Sequence, residues 1–190
     1  MPTYSDTNMT PLGLDLPDAV LVDADGGEHQ LHELAGDGPV LLAFLANHCP
    51  YVKHIENVFG AVTGELAGQG LSVVGVASND VDDYPEDGFG GMAEQAARAG
   101  WSFPYLLDPG QALALKIGAV CTPDLFLFDG DRKLVYRGAF DGSSPKNGVE
   151  LTGEDLRAAA DAVLSGGEVP ADQRPAMGCG IKWSEGNAPE

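Results

Sequence analysis

The stretch FLANHCPYVKH, residues 44–54, decides how the chain is read. The run leading into it, PVLLAFLA (39–46), is continuously apolar and β-rich, the pattern of a strand covered on both faces. After Cys49 the period changes. Val52, Ile55, Val58, Phe59, Val62 and Leu66 recur at helical spacing, and Pro50 suits a first helical position. Cys49 therefore stands where a strand gives way to a helix, at the carboxyl edge of the sheet where open α/β folds place their sites. A helix N-terminus offers free N–H groups and a dipole that favours thiolate, the reactive form of cysteine. His48, Lys53 and His54 lie close enough in sequence to add positive charge. The competing reading is a small, inert residue in a tight corner.

Working outward, LSVVGVAS (71–78) is a second unbroken apolar run. A strand, a helix and a strand in this order predict a parallel pair with a right-handed crossover. Upstream, AVLVDADGGEHQLHEL (19–34) reads as a strand, a Gly-Gly turn and a return strand leading into a short turn. Downstream, residues 90–100 predict a helix, FPYLLD (103–108) a short strand, and QALALKIG (111–118) a brief helix ended by glycine. DLFLFDGDRKLVYRG (124–138) predicts an antiparallel hairpin. In TGEDLRAAADAVL, Thr152 and Asp155 suggest a capping box, with Leu156, Ala159, Ala160, Val163 and Leu164 as the buried stripe.

These elements fit one domain in 190 residues, with no internal repeat. The expected division is a loosely ordered segment 1–12, a domain 13–165, and a tail 166–190 that packs back on it. Ten basic against 29 acidic residues give a net charge of -19. Such a field repels nucleic acid and anionic lipid, so neither is expected as a partner. The opening MPTYSDTNMTPLG has neither a basic n-region nor an apolar h-region, and no apolar run is long enough to span a bilayer. The expectation is a cytoplasmic protein. Three cysteines there argue for redox, metal-binding or bystander roles rather than a disulfide framework.

A second constellation is VCTPD (120–124). Proline is tolerated at the first residue of a strand, and Pro123 is read either as an ordinary trans turn proline or as cis. Taken with residues 44–52, this loop resembles the thioredoxin-like superfamily, and within it the TlpA-like and peroxiredoxin-like (AhpC/TSA, redoxin) branch. Phe44, Ala46, Cys49 and Pro50 match its F-W-A-x-W-C-P-x-C motif. Gly118, Pro123, Phe126, Leu127 and Asp129 match its cis-proline motif G-V-x-x-x-P-x-x-F-L-I-D. The resemblance covers residues 16–164. It implies an α/β thioredoxin fold: a central mixed sheet flanked by helices, with an N-terminal β-hairpin extension and the C-terminal tail. It further implies a cis Pro123, with Thr122 packed beside Cys49.

Two departures accompany the match. Val52 replaces the second cysteine of C-x-x-C, so reduction through that pair is closed. Leu42 and Ala46 stand where the peroxiredoxin pattern P-x-x-x-T-x-x-C has proline and threonine, and the hydroxyl that helps activate peroxide is missing. An oxidised Cys49 then needs another thiol. Cys121 lies two residues before Pro123, and Cys179 lies in GCGIKW of the tail. Cys121 is preferred as the nearer; an external small thiol is the alternative.

The expected function is a thiol-disulfide oxidoreductase or peroxiredoxin-like antioxidant protein. Cys49 is the nucleophile, Cys121 or Cys179 resolves it, and His48, Pro50, Lys53, Thr122 and Pro123 form its surroundings. Its partners would be a peroxide or disulfide substrate and a small thiol or thioredoxin-like reductant, with no cofactor. Two rivals are a redox-inactive module that binds protein through the cis-proline face, and metal delivery through His48, Cys49, His54 and Cys121. Copper-delivery proteins share the fold, but their C-x-x-x-C spacing would need cysteine at Lys53. His29 and His32 carry no expected role. ASNDVDDYPEDG (77–88) lacks a calcium-loop register and reads as a polar loop at the site's rim. Trp101 and Tyr105 are read as core or rim aromatics, and Trp183 as an anchor for the tail.

Overall fold

The computed structural model of the chain describes residues 1–5 and 10–189. Seven strands form the main sheet: β2 (Val20–Val22), β3 (Glu28–Gln30), β4 (Val40–Phe44), β5 (Ser72–Ala77), β6 (Tyr105–Leu107), β8 (Asp124–Phe128) and β9 (Leu134–Gly138). Their order is β3-β2-β6-β5-β4-β8-β9. β4, β5 and β6 run parallel, while β8 pairs antiparallel with β4 and β9 with β8. This is the mixed sheet flanked by helices that the resemblance implies. The β2–β3 hairpin is less an extension than expected, since Val22 pairs with Leu107 and joins it to the main sheet.

β4 is buried along its whole length, as its unalternated sequence requires. Leu41 and Ala43 face one core, shared with α2 (Pro50–Gly68) and α5 (Glu154–Leu164). Val40, Leu42 and Phe44 face the other, closed by α1 (Leu31–Ala35) and α4 (Ala112–Ile117). On the first face Phe59 meets Trp101, Phe103 and Phe140 edge-on, with ring centroids 5.5–6.2 Å apart. Truncating so buried an aromatic costs about 3–5 kcal/mol. α3 (Phe89–Ala99) packs on α2, and the Trp101 indole donates to the Glu56 carbonyl at 2.9 Å. No helix among the described residues is long and apolar enough to cross a membrane.

The expected Thr152/Asp155 capping box does not form. α5 starts after Gly153, and the Asp141 carboxylate, distant in sequence, accepts from the Thr152 and Gly153 N–H groups at 2.8 and 2.7 Å.

A three-stranded sheet stands apart, in the order β1 (Thr3–Tyr4), β10 (Met177–Gly180), β7 (Cys121–Thr122). The loosely ordered opening needs correction at Thr3–Tyr4, which pairs with Met177 and Gly178; residues 6–9 lie outside the described residues. The tail is likewise built in. Lys182 N–H donates to Asn79 Oδ1 and its carbonyl accepts from Asp80 N–H, both at 2.8 Å, while Trp183 packs on the second core.

Candidate active site

The β4–β8 register sets Phe44 opposite Asp124 and so brings Pro123 to the carboxyl end of β4, where the chain turns toward Cys49. The Thr122–Pro123 peptide is cis. Cys49 is the N-cap residue of α2 and is fully buried; its thiol donates to the Thr122 carbonyl at 3.2 Å. Pro50 opens α2 at its first position, as expected. Val52, in the place of a second motif cysteine, is buried in the same core as Cys49.

β10 brings Cys179 to this point. Cys179 pairs with Thr122 and Gly180 with Cys121. The fit depends on Gly178, where a Cβ would fall 1.8 Å from the Thr122 carbonyl oxygen. Cys179 packs against the core that contains Cys49. Burial first, and then Cys49 itself, push the Cys179 thiol up to about 12. Cys121 is also buried, and its thiol approaches the Pro123 carbonyl at 3.8 Å. Burial holds it well above its ordinary range, with Asp124 adding to the effect. All three cysteines are free.

The segment 46–49 is fixed by side chains that sequence reading passed over. Asp87, almost fully buried, accepts from the His48 N–H at 3.0 Å and bonds the His48 ring through Nδ1; Asn79 also donates to it at 2.8 Å. The His48 ring stacks on Tyr84. Asn47 donates to the Glu86 carbonyl at 3.1 Å and accepts from Arg98 at 2.9 Å, while Arg98 pairs with buried Glu56 at 2.8 Å. Gln95 holds the Ala46 carbonyl at 3.2 Å and receives the Tyr105 hydroxyl at 3.2 Å. Burial, then Asp87 and Cys49, push that hydroxyl well above its ordinary range. The acidic run 77–88, read as a rim loop, thus supplies the anchor of His48. Its sequence signal is the carboxylate of Asp87 among residues otherwise suited to a turn, and that signal does not separate it from Asp82 or Asp83.

Other expected neighbours are elsewhere. The Lys53 side chain is exposed and makes no ion pair among the described residues. His54 bonds Ser143 Oγ at 2.8 Å, so His48 and His54 turn to different partners. No group of three or more His, Cys, Asp or Glu among the described residues is placed to hold a metal. His29 and His32 pair with Asp23 and Asp18 near β3, away from this site.

Behind the loop lies a buried ion pair. Arg137 donates to Asp124 at 3.0 Å and to the Gly118 carbonyl at 2.8 Å, holding the strand that follows Pro123 against the turn that precedes Cys121. Burial pushes the Asp124 carboxyl up to about 6 against the opposing pull of Arg137.

A mixed sheet that brings a buried cysteine at a helix start against a cis-proline loop defines a thioredoxin-fold protein. The chain belongs to the AhpC/TSA family, whose model matches residues 12–137. It is similar to the crystal structure of a hypothetical protein from Sinorhizobium meliloti 1021, at 45% identity and TM-score 0.90, over 94% of this chain and 98% of that one. An uncharacterized conserved protein from Geobacillus kaustophilus is 41% identical, with TM-score 0.92 over 97% of both chains. Peroxidoxin BcpB from Mycobacterium tuberculosis shares the fold at 22% identity and TM-score 0.59, over 82% of this chain and 96% of that one. None of the curated proteins matches the chain.

Proposed function

We propose that this protein is a thiol oxidoreductase of the peroxiredoxin-like kind, with Cys49 as nucleophile and Cys179 as resolving thiol. The observation that carries the reading is the placement of Cys179 opposite Thr122, whose carbonyl accepts the Cys49 thiol, with Cys179 packed against the core that contains Cys49. This choice departs from the preference for Cys121 drawn from sequence.

With a hydroperoxide, the Cys49 thiolate attacks one peroxide oxygen and the O–O bond breaks. The departing oxygen takes a proton and leaves as alcohol or water, and Cys49 is left as sulfenic acid. The Cys179 sulfur then attacks the Cys49 sulfur. An S–S bond forms, and hydroxide leaves with the Cys179 proton as water. With a disulfide, the Cys49 thiolate attacks one sulfur, the substrate S–S bond breaks and the first substrate thiol leaves. Cys179 then attacks the Cys49 sulfur of the mixed disulfide, forming the Cys49–Cys179 bond and releasing the second substrate thiol. An external small thiol or thioredoxin-like reductant returns both cysteines to thiols and is itself oxidised to a disulfide.

Cys179 is held protonated partly by Cys49, so it waits as a thiol while Cys49 is reduced. Conversion of Cys49 to a neutral sulfenic acid removes that contribution, while burial, the larger cause, remains. Such a cycle suits a reducing compartment such as the cytoplasm.

Peptide mapping after mild peroxide treatment tests the assignment. A Cys49–Cys179 disulfide is expected in the wild type and in Cys121→Ser, with overoxidised Cys49 in Cys179→Ser. A Cys49–Cys121 bridge would transfer the resolving role to Cys121. Unreacted Cys49 in all three would leave a redox-inactive binding module.

A further inference from the structure

Cys49 is buried, so its oxidant must approach through a neighbouring space. A cavity of about 330 Å³ is lined by Pro123, the residue after the Thr122 carbonyl that holds the Cys49 thiol, and by Tyr51 and Ile55 from the start of α2. Its apolar lining also includes Tyr4, Phe140 and Met177, and Ser143 and Ser144 line it with polar groups. This size lies at the low end for small-molecule sites, which run to about 300–1,000 Å³.

Two features say what it takes. The backbone of Cys121–Thr122 is already paired with β10. The main-chain bonds through which an extended polypeptide would add as a strand are therefore used within the chain. At the cavity wall, Arg174 donates through Nε to Asp155 at 2.7 Å, while Nη1 and Nη2 have no hydrogen-bond partner among the described residues. The guanidinium lies against the wall at Gly142, where an added Cβ would sit 3.3–3.5 Å from its Cζ, Nη1 and Nη2. The lining carboxylate Asp141 is engaged by the N–H groups of Ser143, Thr152 and Gly153. A half-exposed guanidinium edge, held through Nε by Asp155, beside a largely apolar cavity matches a carboxylate.

We propose that this cavity binds the substrate, a compact molecule with an apolar body and one carboxylate paired to Arg174, and that polypeptide disulfides are not substrates. The inference rests on the oxidoreductase reading above. The bound molecule carries the O–O or S–S bond that Cys49 breaks.

Binding is measured first with redox-inert probes on the full chain, by calorimetry or NMR titration. 4-Isopropylbenzoate is expected to bind at least tenfold more tightly than 4-isopropylbenzamide, and Arg174→Met to abolish that advantage. Equal binding of the two, no binding, or an advantage that survives Arg174→Met overturns the proposal. Cys49 oxidation rates are then compared for hydrogen peroxide, the 4-carboxy derivative of cumene hydroperoxide, 3,3′-dithiodibenzoate and insulin. Faster reaction of either carboxylate than of insulin supports the proposal and identifies the bond broken; insulin reacting fastest overturns it. If Cys49 reacts with hydrogen peroxide while the benzoate fails to bind, the cavity assignment alone falls. If the benzoate binds but no oxidant touches Cys49, the oxidoreductase reading falls and, with it, the identification of the ligand as substrate.

Discussion

Cys179 sits opposite Thr122 in an antiparallel ladder, and the Thr122 carbonyl accepts the Cys49 thiol at 3.2 Å. One residue thus joins both sulfurs. Its carbonyl fixes Cys49, and its ladder partner supplies the second thiol.

Gly178→Ala tests how closely this ladder must fit. A Cβ at 1.8 Å from the Thr122 oxygen forces β10 away from β7. Overpacking of this kind costs roughly 1–3 kcal/mol. The urea midpoint is expected to fall accordingly, and the yield of Cys49–Cys179 disulfide at fixed peroxide to drop at least several-fold. An unchanged yield would mean that Cys179 reaches Cys49 without the ladder.

Alkaline stability reports on Cys179. Its thiol is raised from an ordinary value near 9 to about 12, so the folded state holds this proton more tightly than the unfolded chain does. The resulting stabilisation is complete below about pH 8.5 and is lost as pH rises toward 12. Between pH 8 and 11 the wild type is expected to lose stability more steeply than Cys179→Ser, by urea denaturation under reducing conditions. Parallel curves would contradict the assignment.

Arg137→Met leaves the Asp124 carboxylate buried without its counter-charge. Breaking such a pair from one side costs about 3–5 kcal/mol. Asp124 is raised to about 6, so its contribution is fully present below about pH 4 and is lost as pH rises through 6. Without Arg137 its carboxyl moves higher still. The variant is therefore expected to recover part of its stability between pH 7.5 and 5, measured as the difference in melting temperature from wild type.

Asp87→Ala removes the acceptor shared by the His48 N–H, the His48 ring and Asn79. Leaving buried donors unpaired costs about 1–3 kcal/mol. The His48 amide is expected to lose protection in hydrogen exchange before amides of β4 do. Equal loss along β4 would show a global effect in place of a loosened loop.

Thr122→Val should act in the opposite direction. The Thr122 hydroxyl is buried with no hydrogen-bond partner among the described residues, whereas the carbonyl that holds Cys49 is unaffected by the change. Removing an unpaired hydroxyl is expected to stabilise the protein by about 1 kcal/mol in urea denaturation. A loss of similar size would show that the hydroxyl is bonded in solution.

The sequence by itself determined the elements that depend on local pattern. The apolar run ending at Phe44 and the helical period from Val52 to Leu66 place a cysteine at a helix start, while the proline loop beside it is implied only by the family resemblance. Each signal is periodic or contiguous, so it survives in one dimension. What tertiary structure decided is which distant groups complete the site. Asp141, from another loop, takes the Thr152 and Gly153 N–H groups just before α5, where the sequence pattern suggests the Thr152/Asp155 box. Asp87 holds His48 from a turn whose carboxylates look alike in sequence. Cys179 shares a face with Thr122 and Cys121 does not, because side chains of adjacent residues on a strand point to opposite faces and the β10–β7 register chooses the face. Register is a property of two strands together. Neither GCG at 178–180 nor CT at 121–122 carries it alone.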